Sequence, residues 1–315
     1  MRGLPSAVLL TALVLPCEHA RGQASNPGLD GNLYVTQVLK SLQAPINVSA
    51  KLRFESRLFD QMLVGQGAYQ QGGAMSKRFT RWEMHTQIAD ESASFVQVYD
   101  GIHLWTERRL PSRRNVTRLD VARLQSGLRA HQRGKAVDVR AQLLGSVAGQ
   151  GGLIQLLADL LTNYDFQPPQ PTQLNGLPVN ALIGRWRTNQ LVKHWPSAAQ
   201  LDDAEPPTWP HQLPHHVLLL VHKQNLFPCV VEHRGFHGAH YATSLAGLRP
   251  TSSPQLRYEI HDINFAVAIP NEHFAFDPGS NWSDETSVVL EQMTSEQVDA
   301  ATAVGAARIG KAAVR

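Results

Sequence analysis

Histidines are the residues whose type and spacing come nearest to a chemical site in this sequence. There are 14 of them, and a dense group is formed by His233, His237 and His240. On a helix, His233 and His237 would share a face, as zinc ligands often do. Gly235 and Gly238 disfavour that helix, and no glutamate lies between the two histidines to act as a base. We therefore expect no metal site and no cofactor, with a histidine-based metalloenzyme kept as an alternative.

Nucleophilic catalysis has less support still. The sequence has no Gly-x-Ser-x-Gly elbow. Residues 149–152 read GQGG and precede a helix, but they lack the Lys-Ser/Thr pair of a phosphate-binding loop. Acidic residues mostly alternate with basic ones, as Glu55 does between Arg53 and Arg57, which is typical of cross-strand ion pairs. We therefore expect no catalytic residues and no enzymatic activity.

The composition is that of a globular protein, because 43% of the 315 residues are hydrophobic and only 17% are charged. The formal net charge is +3. No run of five or six like charges is present to neutralise phosphates, so nucleic acid is not an expected partner. Two cysteines are too few for a disulfide scaffold, and Cys229 has the surroundings of a small buried hydrophobic residue.

The N-terminus has the pattern of an export signal. A short positive start is followed by an apolar stretch at 4–16, which is too short to cross a bilayer as a helix. Residues 22–24 (GQA) suit cleavage by a signal peptidase. Lipid anchoring through Cys17 is an alternative, although Pro16 is a poor match to the small residue that normally precedes a lipidated cysteine.

These observations divide the chain into three parts. We expect a signal peptide at 1–24, a single domain with an enlarged middle region at 25–294, and an alanine-rich flexible tail at 295–315.

Alternating apolar and polar residues predict antiparallel strands. Val48, Ala50, Leu52 and Phe54 fall on one face of the first strand, with charged residues between them. An Asp-Gly pair at 100–101 marks a hairpin turn. Further strands are predicted at 61–69, 78–88, 95–99, 103–110, 115–120, 178–188, 217–222, 229–234 and 257–269.

Helices are predicted at 35–42, from Asp120 to near Gly134, and around a leucine stripe in the middle of the chain. That stripe has helical spacing and must be buried against another element. It consists of Leu153, Leu156, Leu157, Leu160 and Leu161. Strands followed by two helices and then more strands indicate an α+β fold, with one antiparallel sheet and helices on one side.

Five segments, in this order, resemble the LolA/LolB-like superfamily of exported lipid and lipoprotein carriers. They are GQGAY at 65–69, FTRWEM at 79–84, YDGIHLW at 99–105, INFAVAIP at 263–270 and HFAFDP at 273–278. The last two resemble the closing strand of that family and the Phe-x-Phe-x-Pro stop that follows it. The resemblance implies a periplasmic LolA-like domain, an open antiparallel half-barrel sheet covered on its concave side by helices. Its implied partner is an acyl chain or a lipoprotein, with membrane-bound donor and acceptor proteins beside it.

Within such a fold, apolar residues of the first strands are candidates for a ligand cavity. The candidates are Trp82, which matches the tryptophan of the family, and Met84, Leu52, Phe54, Val96 and Val98. The candidates for a helical lid are Leu153, Leu156, Leu157 and Leu160. Ordinary core packing is the alternative for all of them, because the sequence does not show which face is concave.

Two departures from the family bear on function. The Arg-Pro pair that leads into the tryptophan strand is missing, and only Arg78 offers a loose match. The chain is also longer than a typical carrier, and the resemblance does not cover its middle.

From the resemblance we expect a non-catalytic binder of acyl chains or lipoproteins. The alternative is a sensor or interaction domain on the same fold, with a protein partner bound through residues within 121–256.

Overall fold

The computed structural model describes residues 30–58, 61–73, 78–133, 139–200, 210, 213–235 and 254–295. Within these residues, thirteen strands form one almost entirely antiparallel sheet that does not close into a barrel. Six helices accompany the sheet. The predicted class, an α+β fold with an open antiparallel half-barrel sheet covered by helices, is confirmed.

The thirteen strands are β1 (Val48–Leu58), β2 (Gln61–Gly72), β3 (Phe79–Ile88), β4 (Glu91–Tyr99), β5 (His103–Leu110), β6 (Arg113–Asp120), β7 (Tyr164–Phe166), β8 (Gln170–Leu174), β9 (Leu177–Trp186), β10 (His216–His222), β11 (Pro228–Arg234), β12 (Pro254–Phe265) and β13 (Ser283–Asp284). Ten of the thirteen strands lie where the sequence predicted them, and three short ones, β7, β8 and β13, were not predicted. Their order across the sheet is β13-β6-β5-β4-β3-β2-β1-β12-β11-β10-β9-β7, and β8 also pairs with β9.

The helices are more numerous than predicted. They are α1 (Gly31–Leu42), α2 (Val121–Gln132), α3 (Val139–Val147), α4 (Gly152–Asn163), α5 (Thr188–His194) and α6 (286–295). Three helices, not two, separate the two groups of strands. The additional one, α3, has no apolar stripe at helical spacing that the sequence could reveal.

The main core lies between the sheet and helices α1 and α4. Leu52 of β1 and Tyr69 of β2 are buried in one apolar cluster with Leu39 of α1 and Leu157 of α4. We call this helix-covered, concave side of the sheet the inner face and the opposite side the outer face.

Two glycines of β2 allow the sheet to bend on its inner face. A Cβ atom at Gly67 would lie 1.8 Å from the carbonyl oxygen of Glu83 in β3. A Cβ atom at Gly65 would lie 2.2 Å from the ring of Phe54 in β1. Only glycine therefore fits at these two positions, where a neighbouring strand or side chain crosses the backbone of β2.

The middle of the sheet joins the two ends of the domain, because β1 pairs with β2 on one side and with β12 on the other. The prediction that this late strand runs to 269 is wrong. It ends at Phe265, since Ala266 has a φ of 56° and turns the chain away.

The segment at 273–278, which resembles the Phe-x-Phe-x-Pro stop of the LolA/LolB-like superfamily, forms no strand in the described fold. Residues 271–274 form a short 3-10 helix, and the chain then crosses the outer face. Arg81 of β3 donates hydrogen bonds to the carbonyl oxygens of His273 (3.1 Å) and Ala275 (3.4 Å). The ring of Phe276 stacks on Trp105 of β5, with centroids 5.9 Å apart. This segment leads to α6, which packs on α2.

None of the helices in the described part of the chain is long and apolar enough to cross a membrane. The predicted signal peptide, Cys17 and the tail beyond residue 295 lie outside the described residues.

Candidate functional site

The strongest cavity candidate, Trp82, is buried in the core on the inner face. Its side chain is 4% exposed. Its ring makes edge-to-face contacts with Tyr69 (centroids 6.0 Å apart) and Tyr258 (5.7 Å). Leu52, another candidate, lies on the same face and is 1% exposed.

Two further candidates, Met84 and Phe54, also lie on the inner face but are only half-buried. Met84 lies opposite Phe95 across β3 and β4, and Phe54 lies opposite Tyr258 across β1 and β12. The structure therefore brings four of the six predicted strand residues to one apolar surface, two of them fully buried and two near its edge.

Val96 and Val98 lie on the other side of the sheet. In β4, Gln97 lies opposite Trp82, whereas Val96 and Val98 lie opposite Glu83 and Arg81. Because directly paired residues share a face, these two valines belong to the outer face. A cavity lined by Trp82 does not include them.

The predicted lid residues lie on α4 and point at the sheet. Leu153, Leu157 and Leu160 are almost completely buried, and Leu156 is half-buried. The backbone N–H of Gly152 donates to the side-chain oxygen of Gln97 at 3.2 Å, which fixes the start of the helix on the strands. In this structure α4 therefore covers the inner face.

An apolar pocket of about 300 Å³ opens beside the C-terminal end of α1. Two rim residues, Ile46 and Phe265, are exposed by 43% and 40%. Leu42 and Phe227 also line the pocket, and both belong to the main core. The complete lining consists of Ser41, Leu42, Ala44, Ile46, Val48, Gln71, Asn225, Phe227 and Phe265.

Three of the pocket's lining residues, Leu42, Val48 and Phe227, belong to the same apolar cluster as Trp82 and the α4 leucines. The sequence does not predict this pocket, because its walls come from α1 and the residues after it, from β1 and β2, from the turn between β10 and β11 and from the end of β12. No local spacing of residues predicts a pocket built from elements so far apart in the sequence.

A buried polar group forms the inner boundary of the pocket. Gln71 is 1% exposed. Its side-chain oxygen accepts a hydrogen bond from the Tyr69 hydroxyl at 2.7 Å, and its amide nitrogen donates to the carbonyl oxygens of Leu42 (2.9 Å) and Ile46 (3.3 Å). Burial raises the pKa of the Tyr69 hydroxyl far above its ordinary value, so this group stays protonated and able to donate.

Arg78 fixes the adjacent end of α1. Its guanidinium group is buried and donates to the carbonyl oxygens of Leu42, Gln43 and Ala44. These are carbonyls that a helix end leaves without intrahelical partners, and a cation is favourable there. Burial lowers the pKa of Arg78 from its ordinary value. Arg78, the loose match noted in the sequence, thus positions the α1 side of the pocket.

A second cavity, of about 470 Å³, lies on the outer face beneath the crossing segment. Charged and polar side chains dominate its lining, with Arg81 and Glu83 on the sheet side and Glu272 and His273 on the other. An apolar ligand would have to strip water from these groups, so this cavity does not suit an acyl chain.

Of the histidine group, the described part of the chain contains only His233. His233 lies in β11 with its ring edge on to Tyr164, 6.4 Å between centroids, and burial lowers its pKa to about 4. His237 and His240 lie outside the described residues. Among the residues that are described, no three His, Cys, Asp or Glu side chains are placed to hold a metal ion. Cys229 is buried, which raises the pKa of its thiol to about 11.

No protein-family model and no curated protein matches the sequence. Solved structures do match. The complex of MucA and MucB from Pseudomonas aeruginosa aligns over 78% of this chain at 9% identity, with a TM-score of 0.37. The chain spans 60% of the length of that structure.

Two further matches span nearly the whole of the matched protein. A putative outer-membrane lipoprotein-sorting domain from Vibrio parahaemolyticus aligns over 78% of this chain and 95% of its own, at 14% identity and a TM-score of 0.32. The Mycobacterium tuberculosis lipoprotein LppX aligns over 76% and 96%, at 8% identity and a TM-score of 0.33. The matched structures include the kind of protein that the sequence resembles.

Proposed function

We propose that this protein is an exported, periplasmic, non-catalytic binder of acyl chains, which enter through the apolar pocket beside α1. The observation that carries the proposal is an apolar pocket whose walls include residues of the main core. Leu42, Val48 and Phe227 line the pocket and also belong to the cluster between the sheet and α1 and α4.

The physical case rests on hiding apolar surface from water. Each methylene group that leaves water contributes about 0.8 kcal/mol. The exposed side chains of Ile46 and Phe265 form an apolar rim. The buried lining residues further in are also largely apolar. An acyl chain would bury both its own surface and this rim. An acylated peptide or lipoprotein could supply the chain, with membrane-bound proteins as donor or acceptor.

The test is uptake of a fluorescent fatty acid by the mature protein, combined with native mass spectrometry of the protein from a periplasmic extract. Phe265→Glu and Ile46→Glu place a carboxylate on the rim, where both side chains are partly exposed and folding should be little affected. We expect each substitution to weaken binding about tenfold or more.

Leu177→Glu is the matched control, because Leu177 is 51% exposed and is not part of the pocket lining. It should bind like the parent protein. Equal binding by all three variants, or a parent protein that neither carries lipid nor takes up the probe, would contradict the proposal.

A further inference from the structure

We infer that Gln71 limits the length of the chain that the pocket accepts, and that the pocket holds one linear chain of about ten methylene groups without recognising a charged head. This inference rests on the proposed function. It concerns which apolar ligands the pocket selects and which residue performs the selection.

The length follows from the volume of the pocket. A methylene group occupies about as much space as a water molecule in the liquid, about 30 Å³. The cavity of about 300 Å³ therefore accommodates about ten such groups. A second chain alongside the first would not fit.

The inner end of the pocket is closed by hydrogen bonds as well as by side-chain volume. The amide of Gln71 is held by the Tyr69 hydroxyl on one side and by the Leu42 and Ile46 carbonyls on the other. A chain that continued toward Trp82 would have to displace this amide. Buried polar groups would then lose their partners, which costs more than one further methylene contributes.

Among the described residues, no side chain of the lining carries a charge. Its polar members are Ser41, Gln71 and Asn225. The Ser41 hydroxyl hydrogen-bonds with the carbonyl oxygens of Val38 (2.8 Å) and Leu226 (3.3 Å). A carboxylate head would find no cation among these residues and would stay at the mouth in water, so its charge should change the affinity little.

The experiment is displacement of a fluorescent fatty acid by linear alcohols and by linear carboxylates of about six to sixteen carbons. Affinity should rise about fourfold per methylene up to about ten methylenes and then level off. Alcohol and carboxylate of equal length should agree within about threefold. A continued rise to the longest chain, or a preference of about tenfold or more for one head, would overturn the inference.

Variants of Gln71 separate space from hydrogen bonding. Gln71→Ala removes side-chain volume, so the plateau should move by about two methylenes, whereas Gln71→Asn should move it by about one. Gln71→Met keeps the space filled but removes the hydrogen bonds that hold the side chain in place, so a longer chain can displace it and the plateau should move to greater length. Gln66→Ala, at an exposed position of the same strand, is the control.

Thermal unfolding shows whether each variant is folded. If Gln71→Ala does not fold, the chain length at which affinity levels off is compared between Gln71→Asn and the parent protein. A plateau that is the same in Gln71→Asn, Gln71→Met and the parent would refute the role of Gln71. A parent protein that binds none of the compounds would instead refute the proposed function, so the two failures are distinguishable.

Discussion

Replacing Trp82 with alanine should lower the stability of the folded protein without abolishing ligand binding. Trp82 is 4% exposed and its ring touches Tyr69 and Tyr258. Removing a buried tryptophan side chain costs about 3–5 kcal/mol, of which each edge-to-face ring contact supplies about 0.5–1.5 kcal/mol. We therefore expect Trp82→Ala to lower the free energy of unfolding by about 3–5 kcal/mol.

Urea unfolding followed by circular dichroism measures this change. Acyl-chain binding is then measured well below the unfolding transition, where the affinity of Trp82→Ala should stay within about threefold of the parent, because Trp82 is not part of the pocket lining. Trp282→Ala is the control, since Trp282 is 40% exposed on the outer face and should cost only about 1 kcal/mol. A Trp82→Ala protein of normal stability that no longer binds the chain would refute the core assignment.

Three further outcomes are expected. Arg78→Met should remove the hydrogen-bond donors to the carbonyl groups at the end of α1. It should lower the free energy of unfolding by about 1–3 kcal/mol and speed deuterium exchange in α1. Unchanged exchange would show that Arg78 does not hold the end of α1 in place. Burial lowers the pKa of both His216 and His233 to about 4 in the folded state. The unfolded chain therefore binds more protons, and stability that is complete above about pH 6.5 should fall toward pH 4, by on the order of 2 kcal/mol per histidine. Unfolding measured across this range should show a slope that His216→Gln with His233→Gln reduces; an unchanged slope would contradict the assignment. Gly67→Ala should cost about 3 kcal/mol or more because of its clash with β3, whereas Gly145→Ala, where the nearest atom is 3.7 Å away, should be neutral or stabilising in the same unfolding assay.

The sequence predicted the strands well because their signal is local. Period-two alternation marked β1 and β3, and Asp100 with Gly101 marked the hairpin between β4 and β5. The structure shows why that pair suits the turn. Gly101 has a φ of 91°, and the Asp100 carboxylate accepts from the backbone N–H groups of Ile102 (2.9 Å) and His103 (2.7 Å).

The sequence pattern did not show which face of the sheet would become the inner face. Alternation in β4 divides Phe95 and Gln97 from Val96 and Val98, but it does not state which set meets the helices. The apolar valines are the obvious guess, and yet they lie on the outer face, where the crossing segment passes. Tertiary packing decides the matter, and it depends on residues far away in the chain.

The pocket could not be predicted from the sequence for a related reason. Gln71 and Arg78 are polar residues at the centre of an apolar region, and a pattern of hydrophobicity assigns them to the surface. Their burial makes sense only once the end of α1 is placed beside β2, since each satisfies carbonyl groups that the helix leaves unpaired.

The pairing of β1 with β12 has a consequence for the order of folding. Val48 lies opposite Phe265, so the partner of an early strand is synthesised only near the end of the chain. Local hairpins from β2 to β6 can form as soon as they emerge, because their contacts are close in sequence. The sheet can be completed only after most of the chain is present. Until then one edge of β1 has no partner, and this edge is where aggregation would begin.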